Sequence, residues 1–120
     1  MLFIFINILL SIVFAGLIHE LGHYAAALCY GERLKFTFTW GRLFGRIPIP
    51  RWIWYMPTRL PLCDKRIIAG AGFGVEVFAG FPLLSAGLYA YPIVVLLHIA
   101  LYPFYADNSS DFKWFAKREA

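Results

Sequence analysis

The first eighteen residues, Met1 to Ile18, hold no charged side chain, and the next five read His19-Glu20-Leu21-Gly22-His23. An apolar run of that length is a candidate for a membrane-spanning helix. Ending it with three ionisable groups is unusual, because such groups are costly in hydrocarbon and mark function by default. On a helix, positions i and i+4 share a face, so His19 and His23 can both reach one metal ion. Glu20 is then placed to polarise a water on that metal. The HExxH pattern fixes only three of its five positions; the apolar setting is what sharpens it.

The chain has 120 residues, of which 61% are hydrophobic, and a mean hydropathy of +0.67. A soluble domain of this size buries only about 60–70% of its surface and would not hide that much apolar material. The sequence therefore predicts an α-helical integral membrane protein of one domain. Three transmembrane helices are expected, over about 2–30, 67–89 and 92–118, with a small β-hairpin or extended loop over 31–66 between the first two. Gly31 is a natural stop for the first. The second begins after Asp64-Lys65-Arg66. The third begins at Pro92, an acceptable first-turn proline. Its plainly apolar part ends near Tyr105, short for a span, so the helix is expected to continue through Asp111-Phe112-Lys113-Trp114-Phe115 with a break near Pro103. The short link from Tyr89 to Pro92 makes spans two and three an antiparallel hairpin. A cleaved signal peptide over the first eighteen residues is not expected, since there is no basic n-region and the apolar pattern continues to Tyr30.

Charge sets the expected orientation. Residues 31–66 carry Arg33, Lys35, Arg42, Arg46, Arg51, Arg59, Lys65 and Arg66 against Glu32 and Asp64. By the positive-inside rule this loop and the C-terminus are cytoplasmic and the N-terminus lies outside. Lys113, Lys117 and Arg118 agree. The net charge of +4 contains no basic run suited to a nucleic-acid groove, so no nucleic-acid partner is expected. Cys29 and Cys63 make no spaced motif, and on a cytoplasmic side they are not expected to form a disulfide.

The loop has a pattern of its own. Leu34 to Trp40 alternates apolar and polar residues, as a strand does. Ile47-Pro48-Ile49-Pro50 places both missing N–H groups on one side, as an edge strand would. Trp40, Trp52, Trp54 and Tyr55 suit a membrane interface. Two readings stand side by side: a folded interfacial loop and nothing more, or an edge that binds a substrate segment.

Depth along the helices gives an independent signal. His19 lies roughly 16 Å from the cytoplasmic end of its span, Glu76 roughly 14 Å, and Asp111 roughly 10 Å if the third span continues that far. Three helices thus bring polar groups to a similar level.

On these residues the chain resembles the site-2 protease family of intramembrane zinc metalloproteases. That family has a three-helix core with HExxH on the first helix, a GPxxN-type motif on the second, and an aspartate near the end of the third. The likeness runs in order over nearly the whole chain. His19, Glu20 and His23 fit the first motif. Gly72-Phe73-Gly74-Val75-Glu76 stands where GPxxN would, with Phe73 for the proline and Glu76 for the asparagine. Asn108-Ser109-Ser110-Asp111-Phe112 stands where the family has an NxxPxxxLDG-like segment, and only the aspartate matches. The resemblance implies Zn²⁺ as cofactor, held by His19, His23 and Asp111, with Glu20 as general base. It implies substrate-positioning or supporting roles for Gly72, Glu76 and Asn108. It also implies a membrane protein or peptide as substrate and the lipid bilayer as surroundings.

Duller explanations accompany each residue. His19 and His23 can be helix-packing groups. Asp111 can be a helix N-cap or a solvated tail residue, and Asp107 is a second candidate for third ligand. Glu76 can support the metal, clamp substrate, relay protons, act as a ligand, or serve as a structural hydrogen-bonded carboxylate. His98 is thirteen residues before Asp111 and is expected to serve packing or an interfacial role. Small residues Gly16, Gly22, Gly70, Gly72, Gly74 and Gly80 are expected to allow close helix approach. Two other functional classes remain: a membrane metal-binding protein without peptidase activity, which has no need of Glu20, and an adaptor with a degenerate protease fold.

Overall fold

The N-terminal apolar run forms a single helix, α1 (Leu2–Cys29), in the computed structural model, which describes residues 1–105 and 111–118. It stops where expected. Gly31 N–H donates to Leu28 O and Glu32 N–H to Ala27 O, with Gly31 at φ 74, a left-handed closure that an L side chain resists.

An antiparallel hairpin follows, β1 (Thr37–Leu43) and β2 (Ile47–Ile53), in a register running from Thr37↔Ile53 to Leu43↔Ile47. The alternating stretch expected from Leu34 begins to pair only at Thr37. Leu34 is instead buried with Ala27 and Ile68, anchoring the approach to the hairpin. Phe44 and Gly45 in the turn both have positive φ, 54 and 72, the sign pattern of tight hairpin turns. An aromatic residue rarely holds that conformation. Here the Phe44 ring lies 5.3 Å from that of Phe104. Pro48 faces Arg42 and Pro50 faces Trp40 across the hairpin. Neither proline has an N–H, so the ladder bonds fall on the intervening pairs, Gly41↔Ile49 and Thr39↔Arg51. The backbone groups of Pro48, Pro50 and Trp52 therefore point away from β1.

The second helix differs from expectation at both ends. Rather than running over 67–89, α2 spans Leu62–Phe78 and α3 spans Gly80–Ser85. Pro61 supplies the extended N-cap, and Asp64 sits in the first turn, where a carboxylate complements the helix dipole. The charged triplet thus opens the helix instead of preceding it. The break after Phe78 follows from Pro82, whose ring opposes the carbonyl four residues earlier. The third segment is α4 (Tyr91–Tyr105), with Pro103 inside it, and a separate short helix, α5 (Phe112–Ala116). Among the described residues, the helix expected over 92–118 is represented by these two segments.

The chain is mostly helical, and two of its helical stretches, Leu2–Cys29 and Leu62–Ser85, are long and apolar enough to cross a membrane; α4 is shorter. Burial on α1 is inverted relative to a water-soluble helix. Its inner stripe is small or polar, with Asn7, Ser11, Ala15, His19, Gly22, His23 and Ala27 buried, while Phe3, Phe5, Leu9, Val13, Leu17 and Leu21 face outward. Apolar packing is confined to two small clusters. One joins Ala15 to Tyr91 and Val95, the other Ala27 to Leu34 and Ile68. His19 and His23 lie between these clusters along α1.

The crossing of α1 and α2 is set by glycine. A Cβ on Gly22 would stand 2.6 Å from Ala71 O and 3.0 Å from Gly72 Cα. Of the other glycines expected at helix contacts, Gly70 meets the Phe115 ring, Gly80 is in ordinary contact with Tyr91, and Gly16 and Gly74 face open space.

Candidate metal centre

Four elements deliver polar side chains to one buried point. The α1 face that carries His19 also carries His23 one turn later. Asp111, the residue preceding α5, is brought in from the far end of the chain. His23 Nε2 lies 3.0 Å from His19 Nε2 and 3.0 Å from Asp111 Oδ2, and His19 Nε2 lies 3.2 Å from the same Oδ2. All three side chains are buried. Donors around a tetrahedral zinc, each at about 2.0–2.1 Å, stand about 3.3 Å from one another, so this triangle has the right size.

The donor chemistry fits as well. His19 Nδ1 donates to Glu76 Oε2 at 3.0 Å, and His23 Nδ1 donates to the Ile68 carbonyl at 2.7 Å. Proton positions follow from these partners, since a carboxylate and a carbonyl only accept. An imidazole that is neutral then turns an unprotonated Nε2 inward. With both rings neutral, two imidazole lone pairs and a carboxylate oxygen face one point. A cation between them satisfies such a set, as does a proton on an Nε2 that donates to Asp111. The expected trio is therefore brought together, and the residues suit a divalent metal.

Asp111 occupies an N-cap position, but its side chain makes no capping bond and turns to the histidines. Its backbone N–H donates to the Tyr102 hydroxyl at 3.0 Å, which ties it to α4. Asp107 and Asn108 lie outside the described residues. Gly72 does not meet substrate space; it makes room for the imidazoles. A Cβ there would stand 2.5 Å from His23 Nε2 and 2.9 Å from His19 Cε1. Phe73 packs edge-on to His19 at 4.4 Å between ring centres.

Glu20 lies beside the triangle, and its Oε2 is buried without a hydrogen-bond partner among the described residues. It lines a cavity of about 500 Å³ together with His19, His23 and Asp111. The cavity walls are apolar residues of α1 and α4 and the hairpin. β2 contributes consecutive residues, Ile49 to Ile53, whereas β1 contributes Leu43. Side chains on a strand alternate between faces, so consecutive lining residues mean that β2 meets the cavity with its edge.

Neither family models nor curated proteins nor solved structures give a match to this chain. The site has to be understood from its own geometry.

Three site residues were not expected. His98, expected to serve packing or an interfacial role, places its Nδ1 2.6 Å from Glu76 Oε1 and its ring 4.9 Å from that of His19. The expectation assumed one continuous helix, in which thirteen residues separate His98 from Asp111. Asp111 instead returns to the level of Tyr102, one turn beyond His98. Tyr102 was not singled out at all. Trp54, expected at a membrane interface, packs against the His23 ring at 4.7 Å. A signal for His98 was present: it is an ionisable residue within an apolar helix, as His19 is.

Proposed function

We propose that this chain is a zinc-dependent intramembrane endopeptidase of the site-2 protease type, hydrolysing peptide bonds of membrane-associated substrates. The observation that carries the proposal is the triangle of His19 Nε2, His23 Nε2 and Asp111 Oδ2 beside Glu20, whose buried Oε2 has no partner among the described residues, at one cavity. A pure metal-storage site has no use for that carboxylate. The inverted burial of α1 supports a membrane location, with α1, α2–α3 and α4–α5 as three passes, the 31–66 loop and C-terminus cytoplasmic and the N-terminus outside.

Zinc held by His19, His23 and Asp111 would supply a Lewis acid that polarises the scissile carbonyl and acidifies water. Glu20 acts as general base, taking the proton of the attacking water and giving it to the leaving amine. The apolar walls of the cavity hold the substrate side chains and exclude bulk water. A helical substrate must first unwind, because its carbonyls are otherwise occupied. β2 offers the unwound segment an edge to pair with. On that edge Pro48 and Pro50 offer only carbonyls, and Trp52 is the position that keeps both donor and acceptor.

The test is purification of the full chain in detergent, zinc counted per chain, and cleavage assayed on membrane-segment substrates. About one zinc per chain is expected, lost in a His19→Ala, His23→Ala double variant. Cleavage that persists unchanged in Glu20→Gln would refute peptidase chemistry at this site and leave a metal-binding protein.

A further inference from the structure

Glu76 is fully buried, and both of its carboxylate oxygens are engaged by imidazoles. Oε2 accepts from His19 Nδ1 at 3.0 Å and Oε1 from His98 Nδ1 at 2.6 Å. The same residue's backbone carbonyl accepts the Tyr91 hydroxyl at 2.8 Å, which fixes this turn of α2 against α4. Phe73 fills the space between the two imidazoles, with ring centres 4.4 Å from His19 and 5.5 Å from His98.

The two histidines of the triangle are thus held differently. His23 leans on a neutral backbone carbonyl, His19 on an anionic side chain. A carboxylate at Nδ1 fixes the tautomer, holds the ring plane and enriches the far nitrogen as a donor. A glutamate has three rotatable bonds and by itself would hold nothing firmly. His98 on the second oxygen removes that freedom.

We propose that Glu76, locked in place by His98, is a positioning residue that fixes the ring and tautomer of His19 and so sets the affinity and geometry of the metal held by His19, His23 and Asp111. The inference rests on the metal centre proposed above and extends its support to α4. His19, Glu76 and His98 also lie close enough to hold an ion of their own. That arrangement would require His19 to bind through both ring nitrogens, giving up the proton that orients it, so stoichiometry separates the two cases.

The experiment uses the full chain in detergent. Zn²⁺ affinity is measured by competition with a chromogenic chelator, and the Co²⁺-loaded protein is read by its visible spectrum. Glu76→Gln, which keeps the shape and removes the charge, is expected to lower affinity by about 10–100-fold and to change the Co²⁺ bands. His98→Phe is expected to do the same to a smaller degree, with His98→Gln restoring most of the loss. If Glu76→Gln does not fold, the His98 pair decides, since that side chain stands at the cavity edge, 19% exposed. Parent-like affinity and spectrum in both Glu76→Gln and His98→Phe, while His19→Ala abolishes binding, would reduce the pair to a structural contact and overturn the proposal. Two ions per chain, one lost with His98→Phe, would overturn it in favour of a second metal site. Parent protein that binds no zinc overturns the proposal along with the metal centre. Normal metal binding without any peptide hydrolysis defeats the proposed activity and leaves the positioning role standing.

Discussion

Two glutamates near the candidate metal centre have opposite surroundings, and on the proposed function the difference assigns their work. Glu76 has both oxygens occupied by imidazoles, whereas Glu20 has a buried oxygen without a partner among the described residues. Glu20→Gln should keep zinc and lose turnover by several orders of magnitude, because proton transfer and water activation fail together; metal analysis beside a cleavage assay checks this. Gly72→Ala tests the cradle. Its methyl would fall 2.5 Å from His23 Nε2, so zinc content should drop and stability should fall by about 1–3 kcal/mol of overpacking. Gly74→Ala, in open space, should match the parent in both measurements. The histidine pair was legible because a helix fixes which side chains meet at i and i+4. Asp111 was legible only through depth matching and the family likeness. His98 was not, because a distance counted along one helix cannot foresee an Asp111 amide bonded to Tyr102.

At the scale of elements, the hairpin shows what alternation and proline placement can and cannot tell. Strand character and the sidedness of Pro48 and Pro50 could be read from the sequence. Which edge meets the cavity could not, since that depends on Leu34 anchoring the lead-in and Phe44 resting on Phe104. Trp52→Pro is the informative change. The Trp52 amide points away from β1, so a proline there leaves the β1–β2 ladder intact while removing the last free donor from the β2 edge. Cleavage should fall with zinc content unchanged, and Trp52→Phe, which retains the amide, should recover most of the rate. Equal cleavage by the two variants would mean that substrate does not pair with β2. Helix ends were misjudged where local chemistry outweighed hydropathy: Pro61 and Asp64 start α2 early, and Pro82 ends it early.

For the molecule as a whole, orientation is tested by Cys63, which is exposed. An impermeant thiol reagent should label it only after permeabilisation, as expected for a cytoplasmic loop; labelling in intact cells would reverse the topology. A mostly helical chain with helices long and apolar enough to cross a membrane was legible from hydropathy, while the closing of α1, α2, α4 and α5 around one point was not, because it depends on contacts as local as Gly22 against Ala71. A buried amide far from the metal has a mechanical meaning. Asn7 Nδ2 donates to Gly87 O at 2.7 Å, and its Oδ1 accepts the Ala90 N–H at 2.9 Å. In hydrocarbon, breaking such bonds strands polar groups at a cost of several kcal/mol. One end of α1 is therefore bolted to the α3–α4 corner, about 18 Å along the helix from His19. With that corner pinned, any parting of α1 from α4 would be widest at the opposite end, by the hairpin. On the proposed function, a substrate would come in past the hairpin, at the end away from that corner.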